Sequence, residues 1–441
     1  WLPLEEDLQI ELGDLLLPNG DGSDAVVVFE DLVRRGMDNP RALVHLASTY
    51  ERLNRVDDAQ SVILRLRGTG ATSNPAFAGE IAHVVARIAQ RNGDLEQAAD
   101  ILESTGPRSD ADFAHYFSLA QIRDKQGDTE AAMRGFTMAH ELQSRDLRKF
   151  VPARFEPGAS ILPLADRRIE LEDAQRWPAL ASPDAKQSPA FIVGFPRSGT
   201  TLLEQMLDAH PAFQSMDENP FFNRLAEDLD NHGVDVPRGL ARLGQRDCDE
   251  LRRRYLDMVG ETIPRRWDTQ LVDKNPLNML WLPLIHRLFP HAKYILAIRH
   301  PCDVVLSCYM QNFKAPLLAS ACTDLERVAR AYVASMDNWL HHAGILHPDV
   351  LVLRNEDLVT DTPGEVARLA AFLGLDDATA LLSFDDHARR KGFIGTPSYT
   401  QVVQPVNAKG VNRWRAYREY FDGVLPILQP MLTHWKYDAG A

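Results

Sequence analysis

The sequence predicts a multi-domain chain in which an all-α half of repeated helix pairs precedes an α/β half, a parallel sheet organised around a glycine-rich phosphate loop. Three observations carry that expectation. A turn-plus-alanine register recurs through the first 145 residues, short apolar runs alternate with long helical segments after residue 189, and a strand, a glycine loop and a helix follow one another at 190–207. With 441 residues, 45% hydrophobic and 25% charged, the chain has material for two or three domains with buried cores, which excludes collagen-like, disordered and small disulfide-stapled classes.

In residues 1–145, Gly20, Asn54, Gly93 and Gly127 each stand five positions before an alanine (Ala25, Ala59, Ala98, Ala132), at intervals of 34, 39 and 34. Helical periodicity at 42–53, 77–91 and 113–126 runs into the last three of these turns, and a second helix such as 95–102 follows. A small alanine lets paired helices approach closely, and Asn39-Pro40 and Asn74-Pro75 are helix starts: Asn caps the first N–H groups and proline has no N–H to leave unpaired. The pattern resembles tetratricopeptide repeats, which implies a solenoid. Such a solenoid either caps and stabilises the rest of the chain or offers a concave surface to a partner, an acceptor chain or a second copy, as in a homodimer.

Residues 146–188 mix Pro, Asp and Arg without periodicity and read as a linker, leaving 189–441 as the second domain. There the apolar runs at 190–193, 270–272, 294–298 and 350–353 are separated by helical stretches, the signature of right-handed crossovers and a parallel sheet whose chemistry lies beyond the strands' carboxyl ends.

The first of these strands leads into Gly194-Phe-Pro-Arg197-Ser198-Gly199-Thr200-Thr201 and a helical run. Inward N–H groups of such a loop, together with the positive end of the following helix, hold an oxyanion. The spacing is that of a nucleotide phosphate loop, but a Walker loop would place lysine where Thr200 stands, to reach the β and γ phosphates. Arg197, inside the loop, is the available cation.

Residues 191–211 resemble the 5′-phosphosulfate loop of the sulfotransferase superfamily, closest in flavour to tyrosylprotein sulfotransferases and repeat-bearing bacterial sulfotransferases. The resemblance implies 3′-phosphoadenosine 5′-phosphosulfate as donor, adenosine 3′,5′-bisphosphate as product, and no metal requirement. Ser198, Gly199, Thr200, Thr201 and Arg197 would hold the 5′-phosphate and the sulfonyl group. A strand ending in Arg299, with Ser307 eight residues on, resembles the 3′-phosphate signature, and the segment 404–417, with Lys409, Gly410 and Arg413, is similar to the one that completes that pocket. Asn355 stands where the family's Tyr-Glu-Asp-Leu pattern has its tyrosine. Glu218, 21 residues after Arg197, matches the catalytic glutamate, with Asp217 as its competitor; Lys274, 25 residues before Arg299, matches the lysine on the leaving phosphate.

The expected reaction is sulfuryl transfer to an acceptor hydroxyl, with a peptide or protein, its tyrosine included, slightly favoured over a glycan or small molecule. A P-loop kinase or nucleotide hydrolase and an inactive repeat scaffold are the competing readings. The charge of −14 speaks against nucleic acid, the lack of a long apolar stretch against a membrane, and four cysteines without metal spacing for reduced thiols and a cytoplasmic setting.

Overall fold

A computed structural model describes residues 5–16, 22–36, 39–71, 74–385, 387 and 406–438. Gly20 of the repeat register and Gln404 and Pro405 of the C-terminal motif lie outside them. The chain divides into two compact units, one running to Phe150 and the other beginning at Val151.

The first unit is helical: α1 (Glu6–Leu16), α2 (Gly22–Arg34), α3 (Pro40–Arg52), α4 (Val56–Gly68), α5 (Pro75–Arg91), α6 (Leu95–Thr105), α7 (Phe113–Lys125) and α8 (Thr129–Phe150). The turns sit where the register places them, with Asn54, Gly93 and Gly127 at φ 61°, 85° and 83°. Ala25, Ala59, Ala98 and Ala132 are all fully buried, and the turns at Asn54, Gly93 and Gly127 each deliver their alanine to the seam of a helical hairpin. Asn39 and Asn74 cap α3 and α5 by accepting the N–H groups of Arg41 and Ala76. Buried Glu51 of α3 accepts from Arg87 (3.1 Å) and Arg91 (3.0 Å) of α5, joining one hairpin to the next.

In the second unit, five strands, β1 (Ala190–Val193), β2 (Phe213–Ser215), β3 (Gln270–Lys274), β4 (Lys293–Ile298) and β5 (Asp349–Arg354), form one sheet in the order β2-β3-β1-β4-β5, every pair parallel. The four expected runs are strands, and the three-residue β2 adds an edge too short to show as a run. All four residues of central β1 are fully buried, as a sheet covered on both faces requires.

Residues 146–188 are not a linker in the structure. The first five complete α8, and the remainder, with α9 (Pro163–Asp166) and α10 (Leu171–Gln175), packs onto the second unit. Ala165 and Ile169 are buried there. Asn338 donates to the Ala165 and Arg167 carbonyls at 2.9 Å, the Ile169 N–H donates to His342 Nε2 at 3.3 Å, and Arg287 donates to the Pro178 carbonyl at 2.8 Å. A segment without periodicity can still be ordered when its backbone groups are bonded by side chains from elsewhere, which composition does not reveal.

After β1 the helices follow as α11 (Thr200–Asp208), α12 (Phe221–Asn231), α13 (Gln245–Thr262), α14 (Leu282–Leu288), α15 (Pro301–Tyr309), α16 (Pro316–Ala321), α17 (Leu325–Leu346), α18 (Asn355–Thr360) and α19 (Thr362–Leu373), with a last helix at Leu425–Trp435. No helix among the described residues is long and apolar enough to cross a membrane.

Candidate active site

Three strands end side by side, and each hands a different group to the same place. At the end of β1, the Gly194 N–H donates to the Pro276 carbonyl beyond β3 (3.1 Å), and Gly194 itself, at φ 151°, comes so near β4 that a Cβ would stand 2.4 Å from the Ala297 carbonyl oxygen. The loop then turns through Arg197 (φ 71°) and Gly199 (φ 98°), where a Cβ would meet the Asn355 side-chain oxygen at 2.6 Å. Only glycine accepts both the dihedral and the closeness at positions 194 and 199. Thr200 and Thr201 open α11, buried, with the helix's first N–H groups facing the loop. Ser198 Oγ is buried without a protein partner.

Arg197 is partly buried and its Nε donates to Ser307 Oγ of α15 at 3.1 Å, so the two expected phosphate positions are in direct contact. Burial, with the Arg299 and Arg413 cations, lowers the affinity of this guanidinium for its proton, against the opposing charge of Glu218. Arg299, at the end of β4, donates to the Arg197 carbonyl (3.3 Å) and to the Gly410 carbonyl, and its Nε is buried and unpartnered. Gly410 leaves room for it: a Cβ there would lie 3.0 Å from Arg299 Nη2. The strap around Gly410 is held by Asp303 of α15, whose carboxylate accepts the Asn412 N–H (2.8 Å) and the Trp414 N–H (2.9 Å). Arg299 is 3.9 Å from Asp303, a marginal pair, so the strap's backbone is the main partner of that carboxylate. Lys409 is exposed on the strap, and Arg413 lies against the Met310 sulfur at 3.2 Å.

From the end of β3, Lys274 is completely buried, with its ammonium 2.9 Å from Glu218 Oε1 and 3.1 Å from Glu204 Oε2. Burial disfavours the charged ammonium, yet the two carboxylates outweigh it and hold Lys274 above the ordinary lysine range. Glu218 is 41% exposed at its side chain, a carboxylate anchored from behind and open in front. Its turn is fastened by Asn275, which donates to the Asn219 carbonyl at 3.1 Å, and by the Asp217 N–H, which donates to Glu204 Oε1 at 3.1 Å. Asp217 Oδ1 is buried without a partner.

The structure therefore brings Arg197, Ser198, Gly199, Thr200, Thr201, Glu218, Lys274, Arg299, Ser307 and Gly410 to one end of the sheet. Two residues escaped sequence reasoning. Glu204 was passed over inside the run 202–207, although a lone carboxylate in an apolar helix is itself a signal that a buried cation waits for it. Asp303, four residues after Arg299, is the anchor of the C-terminal strap.

Residues 189–379 match the sulfotransferase family. The chain is 29% identical over 329 residues to an uncharacterised protein of Aquifex aeolicus (strain VF5), covering 71% of this chain and 41% of that protein. It is 25% identical over 258 residues to a putative protein-tyrosine sulfotransferase of Caenorhabditis briggsae, 57% of this chain and 89% of that one. A third relative, heparan sulfate glucosamine 3-O-sulfotransferase 6 of Mus musculus, is 27% identical over 245 residues, 51% of this chain and 61% of the enzyme. Through residues 189–379 the protein is a member of the sulfotransferase superfamily.

Proposed function

We propose that the protein is a sulfotransferase that uses 3′-phosphoadenosine 5′-phosphosulfate and passes the sulfuryl group to an acceptor hydroxyl. The observation that carries the reading is the convergence of an exposed carboxylate after β2, a buried ammonium at the end of β3 and two arginines after β1 and β4 around a glycine loop. The residues suit the donor. Unpartnered Ser198 Oγ and Arg299 Nε are polar atoms in want of an oxyanion, and the cradles at Gly199 and Gly410 leave backbone within reach of one.

In this reading the loop N–H groups, Thr200 and Thr201 hold the 5′-phosphate, and Arg299, Ser307, Lys409, Gly410 and Arg413 hold the 3′-phosphate. Bound there, the donor supplies an activated sulfuryl group. Glu218 takes the proton of the acceptor hydroxyl as its oxygen bonds to sulfur, while Lys274 and Arg197 offset the charge left on the phosphate oxygen when the old S–O bond breaks.

For the acceptor, the tyrosine-sulfating relative favours a peptide or protein over a glycan, and the glucosamine-sulfating one names the alternative to test. We read the helical unit as tetratricopeptide-like, the surface for that acceptor chain, a partner or a second copy. Four free, buried cysteines suit a reducing cytoplasm.

Calorimetry tests the donor assignment. Adenosine 3′,5′-bisphosphate should bind at least about tenfold more tightly than adenosine 5′-monophosphate, since charge-assisted contacts are each worth roughly 1.5–3 kcal/mol, and Arg299→Ala should remove most of that margin. Equal affinity for the two would exclude the two-phosphate site. Transfer of label from ³⁵S-donor to tyrosyl peptides or to glycans then identifies the acceptor class.

A further inference from the structure

We propose that Glu204 is a positioning residue for this transfer: the permanent inner counter-ion of Lys274 and the clamp of the turn that carries Glu218. The proposal rests on the sulfotransferase reading. Its two halves come from the two oxygens of one carboxylate, Oε2 at 3.1 Å from the Lys274 ammonium and Oε1 accepting the Asp217 N–H at 3.1 Å.

The two partners of Lys274 differ in kind. Glu204 is fully buried on α11 beside Leu203, Met206 and Leu207, whereas Glu218 is 41% exposed. If Glu218 were the sole partner, each approach of Glu218 to an acceptor hydroxyl would strand an ammonium in a dry site, which is strongly unfavourable. With Glu204 in place the ammonium stays paired, so Glu218 is free to exchange Lys274 for an acceptor and return. The second oxygen restricts where that exchange takes place. Asp217 holds φ 57°, an uncommon conformation for a non-glycine residue, and its N–H is fixed by Glu204 one residue before the base. Because α11 also begins at the phosphate loop, a single helix ties the loop at Thr200, the lysine and the base-bearing turn into one rigid frame.

Three measurements separate positioning from mere scaffolding. In the full chain, Glu204→Gln should lower the turnover of ³⁵S transfer to a tyrosyl peptide about 100-fold, the usual cost of misplaced groups, with KM for the peptide and Kd for adenosine 3′,5′-bisphosphate changed less than about threefold. Glu204→Asp, which keeps the charge, should retain at least about tenfold more turnover than Glu204→Gln. In thermal melts, Glu204→Gln and Lys274→Met should each lower the Tm, and the double variant, with neither buried charge, should recover most of the loss.

Additive Tm losses would overturn the pair. So would a bisphosphate Kd that weakens as steeply as turnover falls, or an Asp variant no better than the Gln one. Should the unsubstituted protein transfer label to no acceptor at all, the transferase reading fails, and the melting cycle alone decides whether Glu204 and Lys274 act as a unit.

Discussion

The two units put their buried charges to different use. In the helical unit, charges are closed off between neighbouring hairpins: Glu51 accepts from both Arg87 and Arg91, and Asp112 accepts from Arg108 at 2.7 Å through each of its oxygens. At the end of the sheet, polar atoms gather unsatisfied, as Ser198 Oγ and Arg299 Nε do, and cations stand beside cations. A satisfied network fixes a shape, whereas an unsatisfied one marks a place where a ligand completes the bonding. Buried atoms without a partner occur in the helical unit too, at His83 Nε2 and His115 Nδ1, so what distinguishes the site is that they stand among clustered cations on a glycine loop.

The hardest test of that contrast is Glu218→Gln. It preserves size and hydrogen bonding but removes the basic oxygen, so transfer should fall by roughly 10²–10⁴ with folding intact, while Asp217→Asn should cost far less. Steady-state rates of both variants on one acceptor check this; near-full activity in Glu218→Gln would remove it from the base role. In the helical unit a comparable change acts on stability instead. Glu51→Leu leaves Arg87 and Arg91 without their shared buried carboxylate and should destabilise that unit by about 3–5 kcal/mol in denaturant melts, without changing the affinity for adenosine 3′,5′-bisphosphate.

The smallest expected effect is pH-dependent. His83 is buried against Arg108, Asp112, His115 and Arg87, and desolvation, reinforced by the Arg108 cation, lowers it to about 4; burial lowers His115 as well. A histidine that is neutral when folded binds fewer protons than in the unfolded chain. Its contribution is therefore complete above about pH 6.5 and is lost as the pH falls from there towards 4. Between pH 7 and 5 this amounts to about 2 kcal/mol for His83. Melts of the helical unit at the two pH values measure it, and His83→Gln should flatten the dependence.

Much of this was legible beforehand, for reasons that differ by region. The hairpins showed because their spacing constraint is local: a turn residue and, five positions on, an alanine small enough for the seam. The phosphate loop showed because two glycines with forbidden dihedrals or contacts admit no other residue. What stayed hidden was long-range pairing. Nothing near Glu204 in sequence announces Lys274, 70 positions away, and the aperiodic stretch around Ile169 owes its order to His342 and Asn338 on α17. β2 went unseen because three residues carry no measurable period.

The strand order also sets the terms on which this molecule acquires its chemistry. β1 pairs with β3 and β4, in the registers Ala190↔Val272 and Phe191↔Tyr294, and the Arg197 to Ser307 hydrogen bond spans 110 residues. Closing loops of that length is entropically costly and comes late in folding. While a ribosome is still adding β4, the phosphate loop has been made but its second arginine and the strap have not. A nascent chain at that stage has β1 and β3 but not β4, so the sheet is open on one side of β1, a condition prone to aggregation, and the donor site is incomplete.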